Sequence, residues 1–211
     1  MKITNPHYRK FLDEGIISKL EPDHIHRALK NVEGIRGRYI EEGKALLIAL
    51  YYTGCRPNEV LRLRGKDIIK ERSWIIIKAP GSKKGLARPI YLKYNNELVK
   101  SLYAYVVKVF PENLLFYNYM STYRRKIKDG VREEVASKLN YYIKRWFDDV
   151  FYDGETISSY YLRHNRFSKL SESGIPMSDI MQIKGSKTVE SVRPYLHLSV
   201  DTAKKISRKN V

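Results

Sequence analysis

The sequence predicts a mainly helical α+β domain with a small β-hairpin or three-stranded sheet. Two observations lead there. Apolar residues recur at helical spacing over most of the chain, while β-branched runs occur only briefly, around residues 74–77 and 88–92, with a turn rich in Pro, Gly and Lys between them. With 211 residues, 43% of them hydrophobic, the chain is long enough to bury a core and too apolar for a disordered basic tail. No repeat, low-complexity tract or Gly/Ser linker divides it.

In order along the chain, Glu21-Pro22-Asp23-His24-Ile25-His26-Arg27-Ala28-Leu29 reads as a short helix with proline in its first turn. A second helix spans residues 40–53, with Ala45, Leu46, Ala49, Leu50 and Thr53 on one face, and Gly54 ends it. Pro57 opens a third that carries Val60, Leu61 and Leu63. Trp74-Ile75-Ile76-Ile77 and Arg88-Pro89-Ile90-Tyr91-Leu92 are the two strands of a hairpin, and Pro80-Gly81-Ser82-Lys83-Lys84-Gly85 is its cationic tip. Helical patterns follow at residues 96–109, 120–126 and 131–150, the last with Val135, Leu139, Tyr142, Ile143 and Trp146 at helical spacing. Two more run over residues 158–171 and 176–183, either side of Gly174, and short helices are expected at 188–196 and 200–208.

Forty Lys and Arg against 23 Asp and Glu give a net charge of +17, spread along the chain as a basic surface. Nucleic acid is the partner such a surface favours, because neutralising phosphates releases counterions. No apolar run approaches the roughly 20 residues that span a bilayer, and the opening Met1-Lys2-Ile3-Thr4-Asn5-Pro6 is too polar for a signal peptide. A cytoplasmic, nucleoid-associated protein without a membrane partner is expected. A single cysteine, Cys55, excludes an internal disulfide framework and a Cys-cluster zinc site, and five scattered histidines form no metal-ligand pattern.

Three segments place a cation or hydroxyl at a structural break. In Thr53-Gly54-Cys55-Arg56-Pro57-Asn58-Glu59-Val60-Leu61, Arg56 opens a helix, where an anion is favoured and a guanidinium adds a planar fork matched to phosphate; Glu59 is spaced to orient it. The second is Tyr160-Tyr161-Leu162-Arg163-His164-Asn165-Arg166-Phe167, and the third Gly185-Ser186-Lys187-Thr188 followed by Arg193-Pro194-Tyr195-Leu196-His197. Taken singly these residues have plainer roles. Tyr195 is one of 17 tyrosines, whose usual work is amphipathic packing, and arginines usually sit on solvated faces. Lysines at a hairpin tip often serve solubility, and Cys55 suits a small buried position.

In this order the segments resemble the catalytic domain of the tyrosine recombinases, the family of phage and archaeal viral integrases and chromosome-dimer resolvases. The family's Thr-Gly-x-Arg-x-x-Glu-(Val/Leu)-Leu-x-Leu box stands as Thr53 to Leu63, its His-x-Leu-Arg-His box as Tyr160 to His164, and its Leu-Gly-His … Tyr-x-His box as Lys184-Gly185-Ser186 … Tyr195-Leu196-His197. Gly185 and Tyr195 are ten residues apart, the family's usual spacing. The resemblance covers residue 20 onward, which sets residues 1–19 as an N-terminal extension and 20–211 as the catalytic domain.

The resemblance implies the tyrosine recombinase catalytic-domain fold and site-specific cleavage and rejoining of double-stranded DNA without metal, ATP or other cofactor. Tyr195 would be the nucleophile, leaving a 3′-phosphotyrosyl bond and a free 5′-hydroxyl. Arg56 and Arg163 would clamp the non-bridging oxygens. Lys83, with Lys84 as the alternative, would protonate the departing 5′-oxygen. Tyr160 and Ser186 stand where most of the family has histidine, or His or Trp; their hydroxyls can donate to phosphate oxygens but shuttle no protons near neutral pH. His164 would help position the site. A homotetramer on DNA is implied, with Val200-Asp201-Thr202-Ala203-Lys204-Lys205-Ile206 as an exchanged helix. Only some 38 residues precede the first strong helix, too few for a complete N-terminal core-binding domain, so a naturally short or truncated catalytic domain is expected. Two alternatives share the basic surface: a recombinase-derived DNA-binding module that has lost turnover, and a type IB topoisomerase-like nicking-closing enzyme. An RNA-binding protein has only charge and tyrosine content behind it.

Overall fold

The computed structural model describes residues 20–34, 39–81, 87–119, 133–150, 157–192 and 195. Its elements in chain order are α1 (Pro22–Gly34), α2 (Ile40–Thr53), α3 (Pro57–Val60), a 3-10 turn (Gly65–Asp67), β1 (Ile68–Glu71), β2 (Trp74–Ala79), β3 (Arg88–Lys93), α4 (Glu97–Val106), α5 (Glu133–Trp146), α6 (Ser159–Glu172), α7 (Met177–Lys184) and a 3-10 turn (Val189–Ser191).

Helix α2 is the centre of the core because its sequence is apolar almost all round, as a fully enclosed helix requires. Leu46, Leu47, Ile48, Ala49 and Leu50 are all buried, and α1, α4 and α6 pack around it. Its one buried carboxylate, Glu42, accepts from the Asn118 backbone N–H at 2.8 Å and the Asn118 amide at 2.5 Å, and burial raises its pKa. Gly54 ends the helix in the left-handed region, φ 58°, with its N–H on the Leu50 carbonyl. Pro57 occupies the first turn of α3, where its missing N–H costs nothing.

The sheet is a three-stranded antiparallel meander in the order β1-β2-β3. Its register sets Ile68 beside Ile77 and Ile77 beside Ile90, with Ile75 beside Leu92, so alternate residues enter the core. Both strands of the expected hairpin are present. The added strand β1 carried a weak signal because only Ile68 of its four residues is buried. Asn96 caps α4 by accepting from the N–H groups of Leu98 and Val99, and Ser158 caps α6 by accepting from Tyr161.

Several helices differ from the expected spans: α1 continues to Gly34, and α5 stops at Trp146. The one opened by Pro57 stops at Val60, because the chain turns into the 3-10 turn before β1, and α4 stops at Val106. Among the described residues of 188–196 the structure has the 3-10 turn Val189–Ser191, and residues 193, 194 and 196 lie outside the described residues. The segments 120–126 and 200–208 lie outside the described residues, as do Lys83 and Lys84 at the hairpin tip. None of the described helices is long and apolar enough to cross a membrane.

A Cβ at Gly54 would meet the Arg166 side chain at 3.0 Å and the Phe167 ring at 3.3 Å, on a backbone that side chains disfavour. Gly54→Ala is therefore expected to destabilise the fold by about 1–3 kcal/mol, measured by urea denaturation.

Candidate active site

The first box folds around one carboxylate. Thr53 Oγ donates to the Ala49 carbonyl at 2.6 Å and accepts from the Cys55 N–H at 3.1 Å, fixing the turn after α2. Arg56 then begins α3, and Glu59 reaches back to it. Glu59 Oε2 accepts the Arg56 N–H at 2.9 Å, and Oε1 pairs with the Arg56 guanidinium at 3.1 Å. Glu59 is 1% exposed whereas the Arg56 side chain is 36% exposed, so the arginine is held from behind and open in front.

Arg88, at the start of β3, completes this support, and the sequence reading missed it. Its Nη2 pairs with Glu59 Oε2 at 3.1 Å and approaches Cys55 Sγ at 3.5 Å; its Nε donates to the Ile183 carbonyl at 2.5 Å. Gly185, φ 66°, is required beside it, since a Cβ there would stand 2.7 Å from Arg88 Nη1. The signal available in the sequence was strand parity: Arg88 shares the inward face of β3 with Ile90 and Leu92. Burial opposes ionisation of Glu59, but the Arg88 charge, the Arg56 N–H and the Arg56 charge together hold its pKa below the ordinary carboxylate value. Burial pushes the Cys55 thiol up to about 11, so it stays neutral.

The second box lies on α6. Arg163 is buried, its Nη1 donating to the Gly54 carbonyl and its Nη2 to the Lys184 carbonyl at 3.1 Å. It thereby ties the first box to the third. Burial and the neighbouring Arg56 charge lower its pKa to about 10, which leaves it protonated at neutral pH. Asn165, also buried, accepts the Leu20 N–H at 2.9 Å and anchors the start of α1.

Tyr195 is 3% exposed and packs in a small cluster with Phe167, Ile180 and Val192. Its Oη lies 3.5 Å from His164 Nε2, and its ring is 5.5 Å from that of Phe167. Burial pushes the phenol up to about 12, against the pull of the Arg163 and Arg56 charges. His164 is driven down to about 3 by burial and the Lys184 charge, and is neutral at pH 7. Lys184 lies over the opposite part of this cluster, its Nζ 4.8 Å from the centre of the Tyr195 ring and donating to the Ser191 carbonyl.

The structure thus brings together Arg56, Arg163 and Tyr195, the three residues the boxes singled out most strongly. Ser186 follows Gly185 at the end of α7, its hydroxyl sharing a hydrogen bond with the Ser191 hydroxyl. Tyr160 is 47% exposed on α6, one turn before Arg163. Lys83 and the alternative Lys84 belong to the tip outside the described residues, whose stems are set by Arg88 and by an Arg62 bond to the Gly81 carbonyl at 2.9 Å. Two guanidiniums beside a phenol form a site that can hold a phosphodiester and stabilise charge building on its oxygens. Among the described residues no group of three or more His, Cys, Asp or Glu is gathered as a metal site.

A family model described as the phage integrase family matches residues 18–201. Among solved structures, the chain is similar to the XerH site-specific recombinase bound to its difH substrate, with TM-score 0.64 and 17% identity, over 90% of this chain and 53% of that one. It is also similar to XerA recombinase, with TM-score 0.59 and 21% identity over 91% and 62% of the two chains. The Tn1549 transposon integrase in complex with transposon right end DNA gives TM-score 0.58 and 17% identity over 92% and 66%. At these identities the likeness is one of fold, and the chain spans between half and two thirds of the length of these structures. No curated protein sequence matches it.

The Glu59 support makes a testable demand. Glu59→Ala leaves the Arg88 charge buried without its carboxylate, and a loss of about 3 kcal/mol in urea denaturation is expected. Because the folded pKa of Glu59 is depressed, its stabilisation is present above the ordinary carboxylate pKa and fades as pH falls through the lower folded value. Glu59→Gln should flatten that part of the stability–pH curve.

Proposed function

The chain belongs to the phage integrase family, the tyrosine recombinases, and from that premise we propose that it cuts and rejoins double-stranded DNA at specific sites through a covalent 3′-phosphotyrosyl intermediate. The observation that carries this reading is that Arg163 bonds at once to Gly54, two residues before Arg56, and to Lys184, whose amine lies over the Tyr195 ring.

In the proposed reaction the scissile phosphate sits against the two guanidiniums, which hold its non-bridging oxygens. Tyr195 Oη attacks phosphorus, its proton passes to solvent water, and the bond from phosphorus to the 5′-oxygen breaks. A hairpin lysine, Lys83 or else Lys84, supplies the proton to that oxygen. A 5′-hydroxyl then attacks the phosphotyrosyl ester and releases Tyr195, so the bond energy is conserved and neither ATP nor metal takes part. Arg56 is held by Glu59 and Arg163 by two backbone carbonyls, so both charges are in place before the phosphate arrives. Tyr160 and Ser186 serve as hydrogen-bond donors toward the phosphate. Residues 20–211 act as the catalytic unit, and an assembly of four copies brings two duplexes together.

A second reading, a DNA-binding module without turnover, has one observation in its favour: Tyr195 is buried, and the phenol must come forward to reach a phosphate.

The experiment is incubation with a pool of nicked, 5′-labelled duplexes of random sequence, in which cleavage near the nick traps a covalent adduct. The wild-type chain is expected to give an adduct resistant to denaturant, Tyr195→Phe none, and Arg163→Ala at least about 100-fold less. An adduct equally abundant with Tyr195→Phe overturns the assignment. DNA binding without any adduct supports the second reading instead.

A further inference from the structure

Lys184 stands where the box that this chain resembles has leucine, and nothing in the reaction above uses it. Among the described residues it is nonetheless the lysine built most deeply into the site. Its side chain is buried, with a relative exposure of 6% for the residue. Its amine is pinned to the Ser191 carbonyl on the turn that leads toward Tyr195, and it sits 4.8 Å above the centre of the Tyr195 ring. Its own carbonyl accepts from Arg163, so backbone and side chain of one residue bridge the clamp and the phenol. A hydrophobic residue would satisfy this position at lower cost, since a buried amine must be desolvated.

We propose that Lys184 is a positioning residue for the Tyr195 nucleophile, holding the phenol ring from one face and supplying a positive charge that favours the phenolate. The inference rests on the reading of Tyr195 as the nucleophile. Loss of the phenolic proton enriches the ring in electrons, so a cation on its face binds the phenolate more strongly than the phenol.

The charged and titratable groups near the amine are Arg163 and His164 from α6, Arg56 at the start of α3, and Tyr195, while Arg88 from β3, paired with Glu59, lies beside the next residue, Gly185. Burial first, then the Arg163 and Arg56 charges, bring Lys184 down to about 7. Its charge is therefore present below that pH and fades above it. A phosphate between the two arginines offsets part of their repulsion and keeps Lys184 charged when DNA is bound.

Two measurements on the full chain test this. In the first, tyrosine labelled with carbon-13 at Cζ is followed by NMR without DNA, the Tyr195 resonance being identified by its loss in Tyr195→Phe. An inflection near pH 7 is expected in the wild-type chain and absent in Lys184→Met. In the second, the rate of adduct formation is compared at pH 7. Lys184→Met is expected to be about tenfold slower, the size of a buried cation–ring contact, with DNA affinity retained, and Lys184→Arg to recover most of the rate. An inflection that persists in Lys184→Met, or a Lys184→Met chain that forms adduct as fast as wild type, overturns the proposal. If the wild-type chain forms no adduct, the reading of the reaction fails, and the NMR titration still decides whether Lys184 governs Tyr195.

Discussion

Glu59 accepts from three directions at once: the Arg56 N–H, the Arg56 guanidinium and the Arg88 guanidinium. Through Arg88 it reaches the Ile183 carbonyl at the end of α7, and so joins the turn after α2 to the sheet and to the third box. Arg163 closes the same circuit from α6, with one nitrogen on Gly54 and another on Lys184. Elements far apart in sequence are thus tied by charge-assisted bonds whose partners have almost no access to water, where such bonds are strongest and where losing one partner is most costly. This carboxylate sets the positions of Arg56 and Arg88, while backbone carbonyls hold Arg163 and Lys184.

That circuit explains why the residues of the site divide into two kinds. Arg88 and Glu59 are nearly inaccessible and hold the frame, whereas Arg56 is supported from behind and half open in front. Tyr195 lies between, packed against Phe167 and His164 with its phenol held protonated by burial. A net charge of +17 directs attention to nucleic acid but does not separate grip from chemistry. Burial makes that separation. Arg88, Arg163 and Lys184 have given up water to stand beside specific partners, while most of the remaining described cations are left on the solvated surface.

Much of the fold was legible because local signals agreed with tertiary demand. Helix α2 ran over the residues its pattern gave, since an all-round apolar segment between Tyr39 and Gly54 has nowhere to go but the core. The starts of the helices expected at residues 96 and 158 and the proline openings at Pro22 and Pro57 needed only neighbouring residues. Strand β1 was harder: its Ile68-Ile69-Lys70-Glu71 has a single buried residue and acquires its identity from pairing with β2. In the site, Arg56, Arg163 and Tyr195 were readable from ordered spelling, and the structure gathers them. Arg88 was not, because it owes its place to Glu59 in another segment, and Lys184 was not, because the family spelling has leucine at its position and marks no charge there.

The central claim is that Arg56 and Arg163 present a phosphate to Tyr195 and to no other nucleophile. Mass spectrometry of the peptide that remains attached to DNA after proteolysis of a trapped adduct tests it directly. A nucleotide bonded through its 3′-phosphate to Tyr195 is the result this account predicts. Attachment through a 5′-phosphate, or to any other residue, would contradict it.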